Sequence, residues 1–435
     1  MTEPRRVAVT GVGMVTPLGN DVASTWNAIL SGESGVREIE GFDASGFPTR
    51  IAAEVKGLRA EEAIEDRKSL KYATRFSLFA LAAAEEALRD AGVQPTPATA
   101  ERWGLVSGSG MMTMDFDFLQ RFQREFAAHG EIDVARLGAE GERFISSPEF
   151  ARHRAVAGQA LLHKRYGIRG YSANLHTACA SGGQALGLAM RVVRSGQADY
   201  VLAGGYDTMI NPVGMAGFCL LGAVSTDNDR PSSASRPFDR TRNGFVVGEG
   251  AGFMVLEEWQ RARDRGAKIY AELAGEGNSL SSYRITDAPP SGDGPIQAIR
   301  GALADAGETV DAIDYINAHG TSTPMNDLSE TNAIKAAFGD HARHLVVSST
   351  KSQMGHLIAA AGAVEGIICA LSIERSTAPM TANLRTPDPE CDLDYVSEGC
   401  RPMRIGAAIS NSFGFGGSNS CLVFRSPQRA EKSGR

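Results

Sequence analysis

Two helical segments rich in Gly and Ala constrain the fold more than any other feature of this chain. The first, "TACASGGQALGLAMRVVRSG", spans residues 177–196, and the second, "TKSQMGHLIAAAGAVEGIICALSIERS", spans residues 350–376. Each joins a polar turn to a helix whose small side chains lie on several faces, which is typical of a helix buried on several sides. A helix between two sheets meets that description. Their similarity predicts two similar halves packed against each other.

The rest of the chain alternates short β-rich runs with longer amphipathic ones. "RVAVTGVGMV", "RWGLVSGSG" and "ADYVLAGGYD" are typical of buried strands, whereas "TRFSLFALAAAEEALRDAG" and "GPIQAIRGALADAG" are helices that end at Gly. This alternation predicts an α/β protein with buried sheets. We expect the halves to span residues 1–258 and 259–435. We expect residues 111–157, which are rich in Met and Phe, to form a cap region inserted in the first half, over a pocket or a partner surface; a peripheral helix pair is the alternative.

Composition argues against several classes of protein. The 435 residues carry a formal net charge of −7 at pH 7, which disfavours nucleic acid or a membrane surface as the main partner. The longest apolar stretch begins at His356 and is interrupted by Glu365, so we expect a buried helix and no membrane span. The six cysteines form no CxxC pair. This spacing indicates reduced thiols in a cytoplasmic protein and no metal site.

Four polar clusters follow predicted strands or lie on glycine loops, where α/β proteins gather their active sites. Cys179 stands at a helix N-terminus, where the helix dipole favours thiolate. His319 follows a strand, and Lys351 and His356 precede the second Gly/Ala helix. The loop "NSFGFGGSNS" offers backbone N–H groups. Singly, each cluster also fits a packing or solvated role, but together they indicate an acyl-transfer site with a nucleophile, two imidazoles and an oxyanion hole.

Five motifs carry a resemblance to a known family: "TACASG", "RPFDRTRNGFVVGEGAG", "NAHGTSTPMND", "STKSQMGHLIAAAG" and "NSFGFGGSN". In this order they resemble the β-ketoacyl-acyl carrier protein synthases, in the elongating class that uses one Cys and two His. The resemblance implies a thiolase-like fold with two similar α/β halves in α-β-α-β-α layers. It also implies a homodimer without a cofactor. The implied reaction is decarboxylative condensation of a Cys-bound acyl group with malonyl-acyl carrier protein, in fatty acid, polyketide or polyene biosynthesis.

The resemblance also implies roles for individual residues. Cys179 would carry the acyl group, and His319 and His356 would hold the enolate oxygen of the malonyl unit. Lys351 would orient the site through an ion pair with Glu330. The remaining expected site residues are Phe415, Gly414 and Gly416 at the oxyanion hole and gate, and Thr321, Thr323, Met111 and Phe413 at the substrate.

A basic stretch near residue 70 is the candidate surface for a protein partner. Arg67, Lys71 and Arg75 are spaced by four, so on one helix they would form a stripe, with Lys68 alongside. A solvated helix face balanced by neighbouring acids is the alternative. Because acyl carrier proteins are acidic, the resemblance implies that Arg67, Lys68 and Lys71 contact the acyl- and malonyl-loaded carrier protein.

Two further activities fit the same residues. One is a Cys-dependent acyltransferase or thioester hydrolase on the same fold, and the other is a subunit that acts only with a related partner chain. The presence of both Cys179 and its two histidines argues against a silent subunit. The Met- and Phe-rich residues 111–157 leave the acyl chain open. His176, three residues before the nucleophile, replaces a residue that is usually small in similar enzymes and either packs or tunes the thiol.

Overall fold

The computed structural model describes residues 5–59, 66–110, 116–286 and 288–433. The strands in this part of the chain are β1 (Val7–Val15), β2 (Val36–Glu38), β3 (Ile51–Ala53), β4 (Trp103–Ser109), β5 (Ala127–Ala128), β6 (Glu131–Ile132), β7 (Ser172–Leu175), β8 (Tyr200–Asp207), β9 (Gly250–Glu258), β10 (Ala271–Leu280), β11 (Tyr315–Asn317), β12 (Val346–Ser348), β13 (Thr377–Ala378), β14 (Arg401–Pro402), β15 (Ala407–Phe413) and β16 (Ser418–Arg425). The α-helices are α1 (Val22–Ser31), α2 (Arg67–Leu70), α3 (Arg75–Ala91), α4 (Phe116–Phe126), α5 (Val134–Phe144), α6 (Ser147–Arg152), α7 (Ala157–Tyr166), α8 (Ser181–Arg194), α9 (Pro212–Leu220), α10 (Trp259–Asp264), α11 (Asp293–Ala306), α12 (Pro324–Phe338), α13 (Lys351–Met354), α14 (Ala361–Arg375) and α15 (Pro427–Ser433).

The large sheet repeats one strand order twice. The strands up to β9 lie in the order β7-β4-β8-β9-β1, and those from β10 onward lie in the order β12-β11-β15-β16-β10. Numbered within each set, both orders are 3-2-4-5-1. A short antiparallel pairing of Ala8 and Val9 in β1 with Glu272 and Ala271 in β10 joins the sets. The prediction of two similar α/β halves is therefore confirmed, whereas the exact boundary at residue 258 stays a prediction.

The two Gly/Ala helices form the central layer, as predicted. Both α8 and α14 contact strands of each half. A Cβ atom on Gly182 would lie only 2.8 Å from the Ala359 carbonyl oxygen, and one on Gly362 would lie 2.6 Å from the Gly183 nitrogen. The two helices therefore meet backbone to backbone. Helix α3 covers β1 and β9, and α11 covers β10 and β16, which completes the α-β-α-β-α layers.

Glycines also seat each outer helix on its strand. A Cβ atom on Gly13 in β1 would lie 2.0 Å from the Ala83 carbonyl oxygen of α3. A Cβ atom on Gly277 in β10 would lie at the same distance, 2.0 Å, from the Ala298 carbonyl oxygen of α11. Each helix ends, as predicted, at a glycine in the left-handed conformation. The two halves thus share their packing as well as their strand order.

The predicted basic stripe does not form on one helix. Helix α2 ends at Leu70, and a new helix begins at Arg75 behind a capping box of Thr74 and Ser77. The Arg75 guanidinium turns toward the buried Glu249, with which it forms an ion pair. The prediction that Arg67, Lys71 and Arg75 lie along one helix face is therefore wrong. Lys68 and Lys71 are exposed.

The described part of the cap region is a small aromatic subdomain. It contains α4, a hairpin of β5 and β6, α5 and α6, and it leads into α7. Phe118, Phe122, Phe126 and Phe144 pack ring against ring, and the His153 ring lies 4.8 Å from that of Phe118. Met111, expected at the substrate, lies outside the described residues. The function of the cap region stays a prediction.

All six cysteines are free thiols, as their spacing predicts. Across the described ranges, no helix combines the length and the apolar character that a membrane span requires.

We expect Gly277→Ala to lower the free energy of unfolding by about 2 kcal/mol, because overpacking against backbone costs roughly 1–3 kcal/mol. Gly301→Ala is the matched control: Gly301 is exposed on α11, and the nearest atom to its added Cβ lies 3.5 Å away. It should stabilise the protein by about 0.5 kcal/mol, because Ala favours helix over Gly. Urea unfolding of both variants measures this. Equal stability of Gly277→Ala and the parent protein would contradict the direct helix-on-strand contact.

Candidate active site

Cys179 lies at a tight turn between β7 and α8. Residues 178–180 form one turn of 3-10 helix, and Ala178 has a φ of +50°. The second half repeats this turn at residues 358–360 before α14, where Ile358 has a φ of +49°. Left-handed conformations cost about 1–3 kcal/mol in residues other than Gly and persist where the surroundings hold them. Cys179 and Ala359 occupy equivalent positions in the two turns.

The structure brings both predicted histidines to the thiol. His356 Nε2 lies 3.0 Å from Cys179 Sγ. The His319 and His356 rings lie 5.2 Å apart at 84°. One nitrogen of each ring and Sγ all lie within 4.8 Å of one another. All three side chains are buried, so the cluster is a protected reaction centre that combines residues of both halves.

Burial determines the charge state of this cluster. It raises the pKa of Cys179 to about 12, although the nearby Lys351 charge and hydrogen bonds from the backbone N–H groups of Phe415 and Cys179 act in the opposite direction. Burial therefore favours the thiol in the resting protein and opposes the preference for thiolate that the helix dipole gives. Burial and the Lys351 charge hold the pKa values of His319 and His356 well below their usual range. Both imidazoles are neutral.

The tautomer of His356 follows from its second nitrogen. The backbone N–H of Ile358 donates a hydrogen bond to His356 Nδ1 over 3.2 Å. A ring nitrogen that accepts a hydrogen bond carries no proton, so in this neutral ring the proton is on Nε2. Nε2–H therefore points toward Cys179. His356 presents a hydrogen-bond donor at the reaction centre.

Lys351 is buried in the site, but its partner differs from the prediction. Its ammonium group pairs with Glu365 on α14, so the predicted ion pair of Lys351 with Glu330 is wrong. Both members of the pair are buried. Lys351 stands at the start of α13 and Glu365 on the second turn of α14, which places the two side chains face to face. The ammonium end of this pair lies close enough to lower the pKa values of the thiol and of both histidines.

Glu330 instead supports the loop that carries His319. Its carboxylate accepts hydrogen bonds from the backbone N–H groups of His319 at 2.9 Å and Gly320 at 2.8 Å. Asn411 Nδ2 donates a third hydrogen bond over 3.0 Å. Burial raises the pKa of Glu330 to about 7. Glu330 is thus a positioning residue for His319. Asp327, one turn before it, pairs with the buried Arg242.

The glycine loop approaches the thiol as predicted. A Cβ atom on Gly414 would lie 3.2 Å from the Cys179 nitrogen, so a larger residue would crowd the nucleophile. The Phe415 side chain packs in the apolar cluster that contains Cys179. Gly416, with a φ of +80°, donates its N–H to the Ile285 carbonyl oxygen over 2.7 Å. The Phe413 ring meets that of His319 at 5.7 Å.

The predicted substrate-binding threonines lie on the loop between β11 and α12. The hydroxyl oxygens of Thr321 and Thr323 are 3.0 Å apart. Thr323 also accepts a hydrogen bond from the Asn326 N–H and so caps α12. His176 lies outside this group. Its Nδ1 contacts the Ser109 carbonyl oxygen at 3.0 Å and its Nε2 contacts Asn174 at 3.3 Å, which favours a packing role.

Two acidic residues of the site were missed from the sequence. Glu365 is a lone acid within an apolar helix, and a lone buried charge requires a partner, so it could have been paired with Lys351. Asp207 ends β8, and its carboxylate accepts a hydrogen bond from the Ala359 N–H in the turn before α14. No pattern in the sequence indicates this contact.

Three side chains of the site have atoms with the chemistry of metal ligands. The Cys179 sulfur and the two imidazoles lie close enough to share a metal ion, although the same atoms suit acyl transfer. Within the described residues, one side-chain oxygen each of Asn317, Asn411 and Glu365 is buried without a protein hydrogen-bond partner. Each of these oxygens could accept a hydrogen bond from a buried water molecule.

The fold and this geometry define a class of protein. A buried thiol between neutral imidazole donors and a glycine loop, in a duplicated α/β fold, is the arrangement of a thiol-dependent acyltransferase. Models of the "Beta-ketoacyl synthase, N-terminal domain" and the "Beta-ketoacyl synthase, C-terminal domain" match residues 4–262 and 270–385. The chain belongs to the beta-ketoacyl synthase family.

Relatives resemble the chain over nearly its whole length. A 3-oxoacyl-[acyl-carrier-protein] synthase 2 of Coxiella burnetii is 43% identical over 97% of this chain and 98% of its own. The Vibrio harveyi enzyme of the same name is 42% identical over the same shares. Among solved structures, a type II polyketide synthase ketosynthase in complex with its acyl carrier protein has a TM-score of 0.87 and 35% identity, covering 98% of this chain and 100% of that one. A beta-ketoacyl synthase from Burkholderia phymatum STM815 has a TM-score of 0.87 and 34% identity, covering 97% and 99%.

The raised pKa of Glu330 predicts a pH-dependent stability. Between its ordinary value of 4.5 and its folded value of about 7, the folded protein holds a proton that the unfolded chain releases. The stability contributed by this group is therefore present at low pH and is lost as the pH rises toward 8, by roughly 3 kcal/mol. We expect Glu330→Gln to remove this loss, as measured by urea unfolding at pH 5–8.

Glu38→Gln, a change at an exposed carboxylate, serves as the control and should follow the parent protein. Other buried carboxylates are the same in all three proteins and cancel in the difference. A stability difference between Glu330→Gln and the parent that does not change with pH would contradict the titration of Glu330.

Proposed function

We propose that this protein is an elongating ketosynthase, a 3-oxoacyl-acyl carrier protein synthase that condenses a Cys179-bound acyl group with malonyl-acyl carrier protein. The observation that carries the proposal is the 3.0 Å contact of His356 Nε2 with Cys179 Sγ, with His319 in the same cluster. A thioester hydrolase needs only one imidazole beside its thiol. A second neutral donor is suited to a second oxygen, that of a malonyl enolate.

The first step is acyl transfer to the thiol. Cys179 Sγ attacks the carbonyl carbon of the acyl thioester, a carbon–sulfur bond forms, and the bond to the carrier sulfur breaks. The proton of the Cys179 thiol is transferred to the sulfur of the departing carrier. The step therefore takes up and releases no net proton. The backbone N–H groups of Cys179 and Phe415, which point at Sγ, hold the oxygen that becomes negative.

The second step joins two carbons. Malonyl thioester loses carbon dioxide, and the electrons of that bond form an enolate whose oxygen accepts hydrogen bonds from His319 and His356. The enolate carbon attacks the acyl carbonyl carbon, and the bond to Cys179 Sγ breaks. The sulfur regains a proton from solvent. Loss of carbon dioxide drives the step, and the Lys351 charge nearby favours the enolate over neutral thioester.

We propose a cytoplasmic homodimer. Six free thiols support a reducing compartment. Support for the dimer comes from β7, the last strand of the sheet, whose residues 172–175 are exposed or half-buried. An unpaired edge of this kind pairs readily with a second chain. Light scattering of the purified protein should give twice the mass of one chain. A monomer that dimerises only with a related chain would support the heterodimer instead.

Intact mass spectrometry tests the reaction. Mixed with acyl-carrier protein thioesters of increasing chain length and polarity, the protein should gain one acyl group, and Cys179→Ala should gain none. Added malonyl-carrier protein should discharge the adduct as a product two carbons longer. The chain that loads fastest distinguishes a fatty acid from a polyketide or polyene substrate. An adduct that only hydrolyses would favour the thioester hydrolase, and no adduct would favour a subunit that requires a partner chain.

We also propose that Arg67, Lys68 and Lys71 contact the carrier protein. Lys68 and Lys71 are exposed, and acidic carrier surfaces are attracted to such cations. Lys68→Glu combined with Lys71→Glu should raise KM for the acyl-carrier protein by about tenfold and leave kcat unchanged. Arg404→Glu, at another exposed cation, is the control. An unchanged KM, or an equal rise with acyl-pantetheine that lacks the carrier protein, would contradict the docking surface.

A further inference from the structure

Asp207 is a buried carboxylate that the proposed reaction does not use. It ends β8 and is 2% exposed. Its Oδ2 accepts a hydrogen bond from the backbone N–H of Ala359 over 3.0 Å. On its other side it meets Gly110 so closely that a Cβ atom there would lie 1.8 Å from Oδ1. Its neighbour Thr208 donates a hydrogen bond to Glu249 over 2.6 Å, which anchors this end of the strand.

The equivalence of the two turns shows what this contact does. Ala359 in the second half occupies the position of Cys179 in the first. The Cys179 N–H faces the reaction centre, where a substrate oxygen would become negative. The Ala359 N–H, its counterpart, faces the Asp207 carboxylate. Asp207 thus places a side-chain oxygen of the protein where the second half would otherwise repeat the oxyanion hole.

The turn that Asp207 holds also provides the hydrogen bond to Nδ1 of the His356 ring. Ile358 immediately precedes Ala359 and has a φ of +49°. For a β-branched residue this conformation is a rare outlier that neighbouring contacts must maintain. In this conformation the Ile358 N–H reaches His356 Nδ1. The Ala359 N–H, one residue later, is the one that Asp207 holds.

We propose that Asp207 is a positioning residue for His356: its carboxylate holds the left-handed turn at Ile358, and this turn keeps the His356 proton on Nε2, facing Cys179. The inference rests on the proposed function for the role of His356 as a donor. It adds a residue of the first half that controls an imidazole of the second half. The contact therefore couples the two halves at the reaction centre.

Nitrogen NMR of the resting full-length protein, labelled with ¹⁵N-histidine, tests this without substrate. His356→Gln assigns the His356 signals. The parent protein should show a proton on Nε2 and an accepting Nδ1. Asp207→Ala should show a mixture of tautomers, and its kcat should fall by about tenfold to 100-fold, the range for groups that orient a functional imidazole, with KM within about threefold of the parent. Asp207→Asn keeps an acceptor oxygen and should keep the parent tautomer.

Glu86→Ala is the matched control, because Glu86, like Asp207, is a carboxylate that accepts hydrogen bonds from the backbone, here from the N–H groups of Met14 and Val22. It should lose stability and keep the His356 tautomer. Asp207→Ser, whose side chain is too short to reach Ala359, replaces Asp207→Ala if that variant does not fold. The proposal would be overturned if Asp207→Ala or Asp207→Ser folds and its His356 still carries the proton on Nε2. Absence of condensation by the parent protein would instead overturn the proposed function and leave this test valid.

Discussion

The backbone contact between α8 and α14 is the constraint on which the rest of the structure depends. Gly182 and Gly183 on α8 lie against Gly362 on α14 and Ala359 in the turn before it, and no side chain fits between them. Because the helices meet near their N-terminal ends, the turns that precede them meet as well. Cys179 precedes the first helix and His356 precedes the second, so the contact brings together the turns in which a thiol and an imidazole from distant parts of the chain lie 3.0 Å apart.

Burial then determines the protonation states of the thiol and the imidazoles where the two turns meet. In water the thiol would ionise near pH 8.5 and the imidazoles near pH 6.5. In the site the thiol keeps its proton and both imidazoles are neutral. The ammonium of Lys351 is balanced by Glu365. The site therefore offers hydrogen-bond donors of fixed direction to an oxygen that becomes negative during reaction, which is an efficient form of electrostatic stabilisation because the donors need no reorganisation.

Much of the site could be predicted from the sequence, because its reactive residues stand directly after strands or before helices of strong pattern. Cys179, His319 and His356 each occupy such a position, and the structure assembles them. The partner of Lys351 could not be predicted in this way. Glu330 and Glu365 are both acids near the site in sequence, and the choice between them depends on which way each helix turns its side chain. The prediction of one basic helix over residues 67–75 was wrong for a local reason, because the capping box at Thr74 begins a new helix at Arg75.

The sequence by itself determined the alternation of strands and helices, the duplication and the candidates for the nucleophile and its two imidazoles. These follow from periodicity, glycine positions and residue type, all of which are local. Only the tertiary structure decided the charge state of Cys179, the tautomer of His356 and the contact of Asp207 with Ala359. Each of these depends on burial or on a hydrogen bond between residues far apart in the chain, and neither is encoded in any single segment.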